Sequence, residues 1–243
     1  MSGRLTGPFG RLRAGPFGRL RAGLGFWVLV LGRSASAEPP KVVPAGEEPL
    51  VELTRLDPKI QVDLVYATSE NFAGVKLYPV ARCLLREGVA KKIAKAQVWL
   101  DQHRPGWLLR MKDCYRPDAA QWLLFRAVKG TSKARYVADP RRPAGSLHSR
   151  GASVDVTLSD GQSELDMGTP HDFLGELAEP RHESRFVSNG SLSARALENR
   201  RALRAAMRWA GMRGILREWW HFDDDKAEAV VAKYSRLDVP LEP

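Results

Sequence analysis

Two short stretches, about sixty residues apart in the 243-residue chain, place the tightest demand on its fold. The first is Ser146-Leu147-His148-Ser149-Arg150-Gly151-Ala152-Ser153-Val154-Asp155, and the second is Glu218-Trp219-Trp220-His221. Asp155 sits between Val154 and Val156 in an alternating, strand-like run. A carboxylate in a buried strand is costly unless it is paired or bound to a metal. On its own, Asp155 reads equally well as part of an exposed strand face. With His148 seven residues upstream and Glu218 and His221 to answer it, the buried reading prevails. Two histidines and one aspartate match the three-ligand set with an open position that zinc takes in catalytic sites. Glu218 is then the residue type that removes a proton from water. On a regular strand Glu218 and His221 would point to opposite faces, so their segment is expected to bend or to end at the metal.

Charge sorts the remaining function classes. The net charge is +10, but six arginines (Arg4, Arg11, Arg13, Arg19, Arg21 and Arg33) and no acid fall within residues 1–37, so more than half of the excess lies there. No basic stripe interleaved with aromatics follows, which argues against nucleic acid as a partner. Residues 1–37 read as an export signal: a basic region, the apolar run Leu24-Gly25-Phe26-Trp27-Val28-Leu29-Val30-Leu31, and the small-residue site Ala35-Ser36-Ala37. The apolar run is well short of the roughly 20 residues needed to span a bilayer, so no stable membrane anchor is expected. The other reading of this stretch is a disordered basic tail. Gly-Pro-Phe-Gly-Arg-Leu-Arg-Ala occurs in tandem at 7–14 and 15–22, too short a repeat for a solenoid. The expected localisation is exported, periplasmic or associated with the cell envelope.

The rest of the chain, 44% hydrophobic and 27% charged over its full length, is of ordinary globular composition. Residues 38–49 carry four prolines and no apolar period and read as a linker. Residues 50–243 read as one catalytic domain. Ile60, Val62 and Leu64 alternate as in a strand. Helical spacing is expected from about Ala81 to Leu100, ending at Arg104-Pro105-Gly106. A short strand over 107–113 and a helix opening at Asp118, with Asp118 as N-cap, come next. A basic loop over 129–145 leads to a strand over 152–158 and a hairpin turn at Ser159-Asp160-Gly161-Gln162. An irregular polar stretch runs from 168 to 191. An amphipathic helix is expected over 193–210 with Arg200, Arg201, Arg204 and Arg208 solvated, then a final strand over 214–222 and a polar tail. The fold class is therefore α+β: a single domain with a small antiparallel or mixed sheet flanked by helices, and the zinc site on the sheet. Cys83 and Cys114 match no metal spacing; they read either as a disulfide in an exported chain or as two buried thiols.

The two stretches, taken as Ser146-x-His148-x-x-Gly151-x-x-x-Asp155 and Glu218-Trp219-Trp220-His221, resemble the zinc D,D-peptidase family that holds the VanX-type D-alanyl-D-alanine dipeptidases and the VanY-type carboxypeptidases. The likeness extends over about residues 50–235. It includes Asn71-Phe72-Ala73-Gly74, Asp113-Cys114-Tyr115-Arg116-Pro117, Asp166-Met167-Gly168-Thr169-Pro170 and Glu198-Asn199-Arg200-Arg201. The resemblance implies one zinc ion per chain on His148, Asp155 and His221, with Glu218 as general base. It further implies Arg116 as oxyanion stabiliser, Asp172 as acceptor of the substrate ammonium and Ser146 as a further substrate contact. The implied reaction is hydrolysis of D-alanyl-D-alanine by a metal-activated water, and the implied partner is that small dipeptide. The alternatives are a D,D-carboxypeptidase or endopeptidase on longer peptidoglycan stems, or a non-catalytic zinc-bound binding module. Glu-Trp-Trp-His-Phe looks like the dipeptidase branch. The chain departs from the family pattern at His171, where an aromatic is usual, and in its short connection between Asp155 and Asp166. His103, His171 and His182 are read as surface or structural residues.

Overall fold

A computed structural model describes residues 42–242; the export reading and the tandem octapeptide lie outside them. The chain runs β1 (Leu50–Glu52), α1 (Leu53–Leu56), β2 (Gln61–Val62), β3 (Leu84–Arg86), α2 (Glu87–His103), β4 (Leu108–Asp113) and α3 (Asp118–Val128). It continues with β5 (Ser153–Ser159), α4 (Glu183–Ser188), α5 (Ala194–Trp209), β6 (Arg213–Gly214), β7 (His221–Asp223) and α6 (Ala227–Lys233). A five-stranded sheet has the order β2-β4-β5-β7-β6, and β1 and β3 form a separate two-stranded ribbon. The β2–β4 pair is parallel and the other pairs are antiparallel, so the domain is α+β with a mixed sheet, as its pattern of elements implies.

The central strand β5 is buried at all seven positions. Its alternation therefore does not separate a wet face from a dry one. Val154, Val156 and Leu158 join the apolar core, while Ser153, Asp155 and Thr157 point to the opposite, equally enclosed side. On the core side, α2 packs against β4 and α5 against β5, and the two helices pack against each other. Their apolar stripes (Val89, Ile93, Ala96 and Leu100; Ala196, Leu203, Ala206 and Met207) are fully buried, as the 3.6-residue period requires. The side chain of Ser193 accepts from the Ala196 amide at 3.0 Å and caps α5.

Several sequence expectations change in the folded chain. Helix α2 starts at Glu87 rather than near Ala81, because Leu84–Arg86 pairs with β1. Cys83 and Cys114 form a disulfide with Cα atoms 5.2 Å apart, which ties this ribbon to the end of β4. The strand expected at 60–66 pairs only at Gln61 and Val62 before a 3-10 turn, Val65–Ala67, carries Tyr66 inward. Asp118 is the first helical residue instead of the cap, and its carboxylate meets Arg236 Nε at 3.2 Å. The hairpin after β5 survives as one bridge, Ser159 to Glu164. The final strand is interrupted: β6 and β7 pair with each other, and Ile215–Trp220 loops out between them. The tail is ordered too, through α6 and the buried Val230, Tyr234, Leu237 and Leu241.

Arg200 is the clearest departure. Expected in solvent, it is fully buried, donating to the Met167 and Leu177 carbonyls and lying 3.5 Å from Glu183. Helical periodicity assigns it to the polar face; it does not show that the irregular 167–183 segment folds over that face. Glu47 and Glu48, from the stretch read as a linker, bind Arg86, the Gly88 amide and the Ser235 amide.

The Cys83–Cys114 bond closes a segment of 31 residues. Converting both cysteines to serine is expected to lower unfolding free energy by about 2–4 kcal/mol, measured by denaturant titration of the oxidised and the double-mutant proteins.

Candidate active site

The sheet register assembles the site. Asp113 of β4 pairs with Asp155 of β5, and Asp155 pairs with His221 of β7, so three adjacent strands contribute one row of side chains. A register irregularity between Met111 and Asp113 in β4 sets Asp113 into that row. His148 arrives from the 3-10 turn His148–Arg150 that leads into β5. That turn closes on Gly151 at φ +69°, a left-handed conformation that favours glycine. A Cβ there would stand 2.6 Å from Leu50 Cδ2, so a side chain would have to displace Leu50 as well as strain the backbone.

Each histidine has one ring nitrogen engaged outside the site. His148 Nδ1 donates to the Cys114 carbonyl at 2.7 Å, and His221 Nε2 donates to Asp223 Oδ1 at 2.9 Å. These acceptors assign the tautomers. They leave His148 Nε2 and His221 Nδ1 facing each other at 3.2 Å, with Asp155 Oδ1 2.9 Å from His221 Nδ1 and 3.4 Å from His148 Nε2. The donor atoms of His148, Asp155 and His221 all lie within 4.8 Å of one another. Two ring nitrogens and a carboxylate thus converge on one point, an arrangement that calls for positive charge among them, either a proton carried by an imidazole or a metal ion. Nitrogen and carboxylate donors with their far sides hydrogen-bonded fit a divalent metal such as zinc.

Around this centre the charges are fixed by burial and pairing. Burial opposes ionisation of Asp155, but His148 above all, with His171 and His221, holds its carboxyl well below the usual range. Glu218 comes from the β6–β7 loop, with Oε2 3.9 Å from His221 Nδ1. Burial pushes the Glu218 carboxyl up to about 8, with Asp155 and Asp172 adding and His221 opposing. The bend expected between Glu218 and His221 is this loop; it lets both side chains turn to the same centre.

Arg116 is almost fully enclosed and pinned on several sides. Nε donates to Asp113 Oδ2 at 2.8 Å, Nη1 donates to Gln121 Oε1 at 2.7 Å, and Nη2 lies 3.4 Å from Asp155 Oδ2. Burial works against its charge, yet Asp113 and its other neighbours keep the guanidinium well above its ordinary value. The Tyr66 ring lies 5.0 Å from the guanidinium carbon. Tyr66 also donates its hydroxyl to Asp172, 3.1 and 3.0 Å from the two carboxylate oxygens. Burial raises the Asp172 carboxyl, with His171 opposing. Asp172 is the one non-glycine residue at positive φ (62°) among the described residues. Backbone strain of this kind concentrates at functional sites. Ser146 is buried and lines the same cleft.

All seven residues singled out from the sequence, His148, Asp155, His221, Glu218, Arg116, Asp172 and Ser146, line one cleft of about 200 Å³. A family model described as D-ala-D-ala dipeptidase, of the M15 peptidases, matches residues 47–240. The chain belongs to this peptidase family. It is 36% identical over 179 residues to the D-alanyl-D-alanine dipeptidase of Escherichia coli K12, covering 72% of this chain and 83% of that protein. The Streptomyces coelicolor D-alanyl-D-alanine dipeptidase is 32% identical over 182 residues, 67% of this chain and 85% of that protein. A protein of the same name from Synechocystis is 27% identical over 173 residues, 57% of this chain and 68% of that protein.

Four residues of the peptidase site were not identified in advance. Asp113 stood inside the Asp-Cys-Tyr-Arg-Pro run, three residues before the arginine it pairs with, and that spacing was its signal. Asp223 lies two residues beyond His221, on the same side of β7. Tyr66 gave no signal, because only the 3-10 turn aims it at Asp172. His171 was read as surface or structural, and its side chain is instead 4% exposed, with Nε2 3.6 Å from Asp155 and Nδ1 3.5 Å from Asp172. Its ring packs edge-on against Trp220 with centroids 5.2 Å apart. His103 stacks on Trp99 away from the cleft, and His182 lies 3.4 Å from Glu179. Trp219 and Trp220 pack in the core, and Trp219 Nε1 donates to Thr169.

Gly151→Ala tests how the site is built. The left-handed backbone costs about 1–2 kcal/mol with a side chain, and the contact with Leu50 adds to it. The variant is expected to unfold at a lower denaturant concentration and to bind metal more weakly. Both effects follow from displacing His148; they can be checked by chemical denaturation and by metal titration.

Proposed function

We propose that the chain is a zinc-dependent D-alanyl-D-alanine dipeptidase, exported from the cytoplasm. The observation that carries this reading is the convergence of His148, Asp155 and His221 with Glu218, Arg116 and Asp172 in one small cleft. Its volume lies below the roughly 300–1,000 Å³ of pockets that enclose drug-sized ligands, which favours a substrate as small as a dipeptide. The relatives' names support the same substrate. The Cys83–Cys114 disulfide supports export, since such bonds persist in oxidising compartments. Among the described residues no helix is long and apolar enough to cross a membrane.

His148, Asp155 and His221 would hold the metal. Bound zinc supplies Lewis-acid polarisation and lowers the pKa of its water to about 7. Glu218 is the carboxylate that takes a proton and returns it to the leaving amine, a role worth roughly 10²–10⁴-fold. Arg116 provides a cation that needs no reorganisation where negative charge develops on the scissile carbonyl oxygen. Asp113 and Gln121 hold its guanidinium in place. Asp172, aligned by Tyr66, accepts the substrate ammonium and so sets the distance from the amino end to the cleaved bond.

One feature favours testing a longer substrate. A second cavity of about 550 Å³ adjoins the first through Phe72 and Asp172 and is lined by Glu70, Lys112, Glu164 and His171.

Alanine release by the zinc-loaded chain from D-Ala-D-Ala and from a pentapeptide stem, each with and without chelator, decides between the readings. Chelator-sensitive release from the dipeptide alone is expected. Release from the pentapeptide would reassign the chain as a carboxypeptidase, and no release from either would leave a binding module. Separately, Glu218→Gln should keep one zinc per chain and lose at least about 10²-fold in kcat, whereas His148→Ala should lose both. Zinc that stays at one per chain in His148→Ala, by elemental analysis, would sink the ligand assignment.

A further inference from the structure

Carboxylates crowd the inner part of the cleft: Asp155, Asp172 and Glu218 all line it. Arg116, the cation among them, already serves Asp113, Gln121 and Asp155. A zwitterionic dipeptide with its ammonium at Asp172 must therefore direct its free carboxylate away from this wall, or meet repulsion. The same cleft has two further cations in its lining, Arg135 and Arg217, and both are exposed.

These two arginines come from separate elements and are joined. Arg135 belongs to the 3-10 turn Ser132–Tyr136, and Arg217 to the loop between β6 and β7. Arg217 Nη1 donates to the Arg135 carbonyl at 2.8 Å, which holds the loop against the turn. Arg217 makes no ion pair among the described residues, and the bond to Arg135 leaves its Nε and Nη2 available. Arg135 uses Nη2 toward the Tyr136 hydroxyl at 2.8 Å and Glu179 at 3.5 Å, leaving Nε and Nη1. Arg217 directly precedes Glu218; the glutamate turns into the protein while the arginine stays at the rim. Val137, Ala138 and Ile215 line the cleft beside them and offer apolar surface to a small side chain.

We propose that Arg217 and Arg135 form the subsite that receives the free C-terminal carboxylate of the substrate, making the cleft selective for a peptide that ends one residue after the cleaved bond. This rests on the dipeptidase reading above. Guanidinium groups suit the role because their planar donors match a carboxylate's two oxygens. Glu218 and the arginine beside it would then read the two sides of one residue: the leaving amine and the carboxylate that follows it.

The test compares D-Ala-D-Ala with its C-terminal amide on the zinc-loaded full chain, in wild type, Arg217→Gln, Arg217→Lys and Arg135→Gln. The amide presents the same scissile bond and ammonium without the anionic end. Wild type is expected to favour the acid, and Arg217→Gln to raise KM for the acid about 10-fold, the scale of one charged hydrogen bond, with kcat kept. The amide's kcat/KM should not change, and Arg217→Lys should recover part of the loss. Arg135→Gln should narrow the acid-to-amide ratio in the same direction. An unchanged ratio in both glutamine variants would overturn the assignment. So would an equal loss on both substrates, which would mean that Arg217 only positions Glu218. If wild type hydrolyses neither compound, the dipeptidase reading falls and this subsite falls with it. Hydrolysis by wild type with an unaltered ratio removes the subsite alone.

Discussion

A carboxylate buried in the middle of a sheet is the constraint to which the rest of this molecule responds. Taking an ion out of water costs several kcal/mol even after relaxation, and Asp155 is almost fully enclosed. The fold surrounds it with His148, His171, His221 and Arg116, each within 3.6 Å. Those groups are buried in turn and need partners of their own. Cys114 supplies a carbonyl for His148, Asp223 a carboxylate for His221, and Asp113 with Gln121 the acceptors for Arg116. Tyr78 then donates to the remaining oxygen of Asp113 at 3.0 Å. The network ends only where it reaches main-chain groups or the core, so the site and the sheet are one structure.

The same logic explains why so much connecting chain is ordered. The disulfide fixes Cys114, whose carbonyl orients His148, against the β1–β3 ribbon. Arg200, buried under the irregular 167–183 segment, holds the Met167 and Leu177 carbonyls. That segment carries His171 and Asp172 to the cleft. Removing Arg200 would therefore act on the site from a distance, through the carbonyls it anchors. The cleft itself is polarised, with carboxylates along its inner wall and arginines at its rim, a pattern complementary to a small zwitterion.

Much of this was legible in the chain before it was folded. Period-2 and period-3.6 patterns located β4, β5, α2, α3 and α5, because each buries one apolar face whatever surrounds it. The candidate metal donors, Glu218 and Arg116 stood in short motifs that can be read along the chain without the fold. Boundaries were less legible. The start of α2 was obscured because Leu84 and Leu85 continue the apolar period while pairing as a strand. The final strand was overextended because the apolar and aromatic residues of Ile215–Trp220 fit a strand pattern but pack as a loop.

The sequence by itself determined the class of fold, the family and which residues to look for in a site, including the three that could hold a metal. Those are properties of residue type and local spacing, and both are written along the chain. Tertiary structure alone decided that Asp113, Asp155 and His221 share one row, because strand register is set by pairing between distant segments. It decided that Arg200 and His171 are buried, because burial depends on what folds over a residue and not on the helix or loop that bears it. It also brought Arg135 to Arg217 across 82 positions of chain, joined by a single hydrogen bond, a proximity that only the closed fold creates.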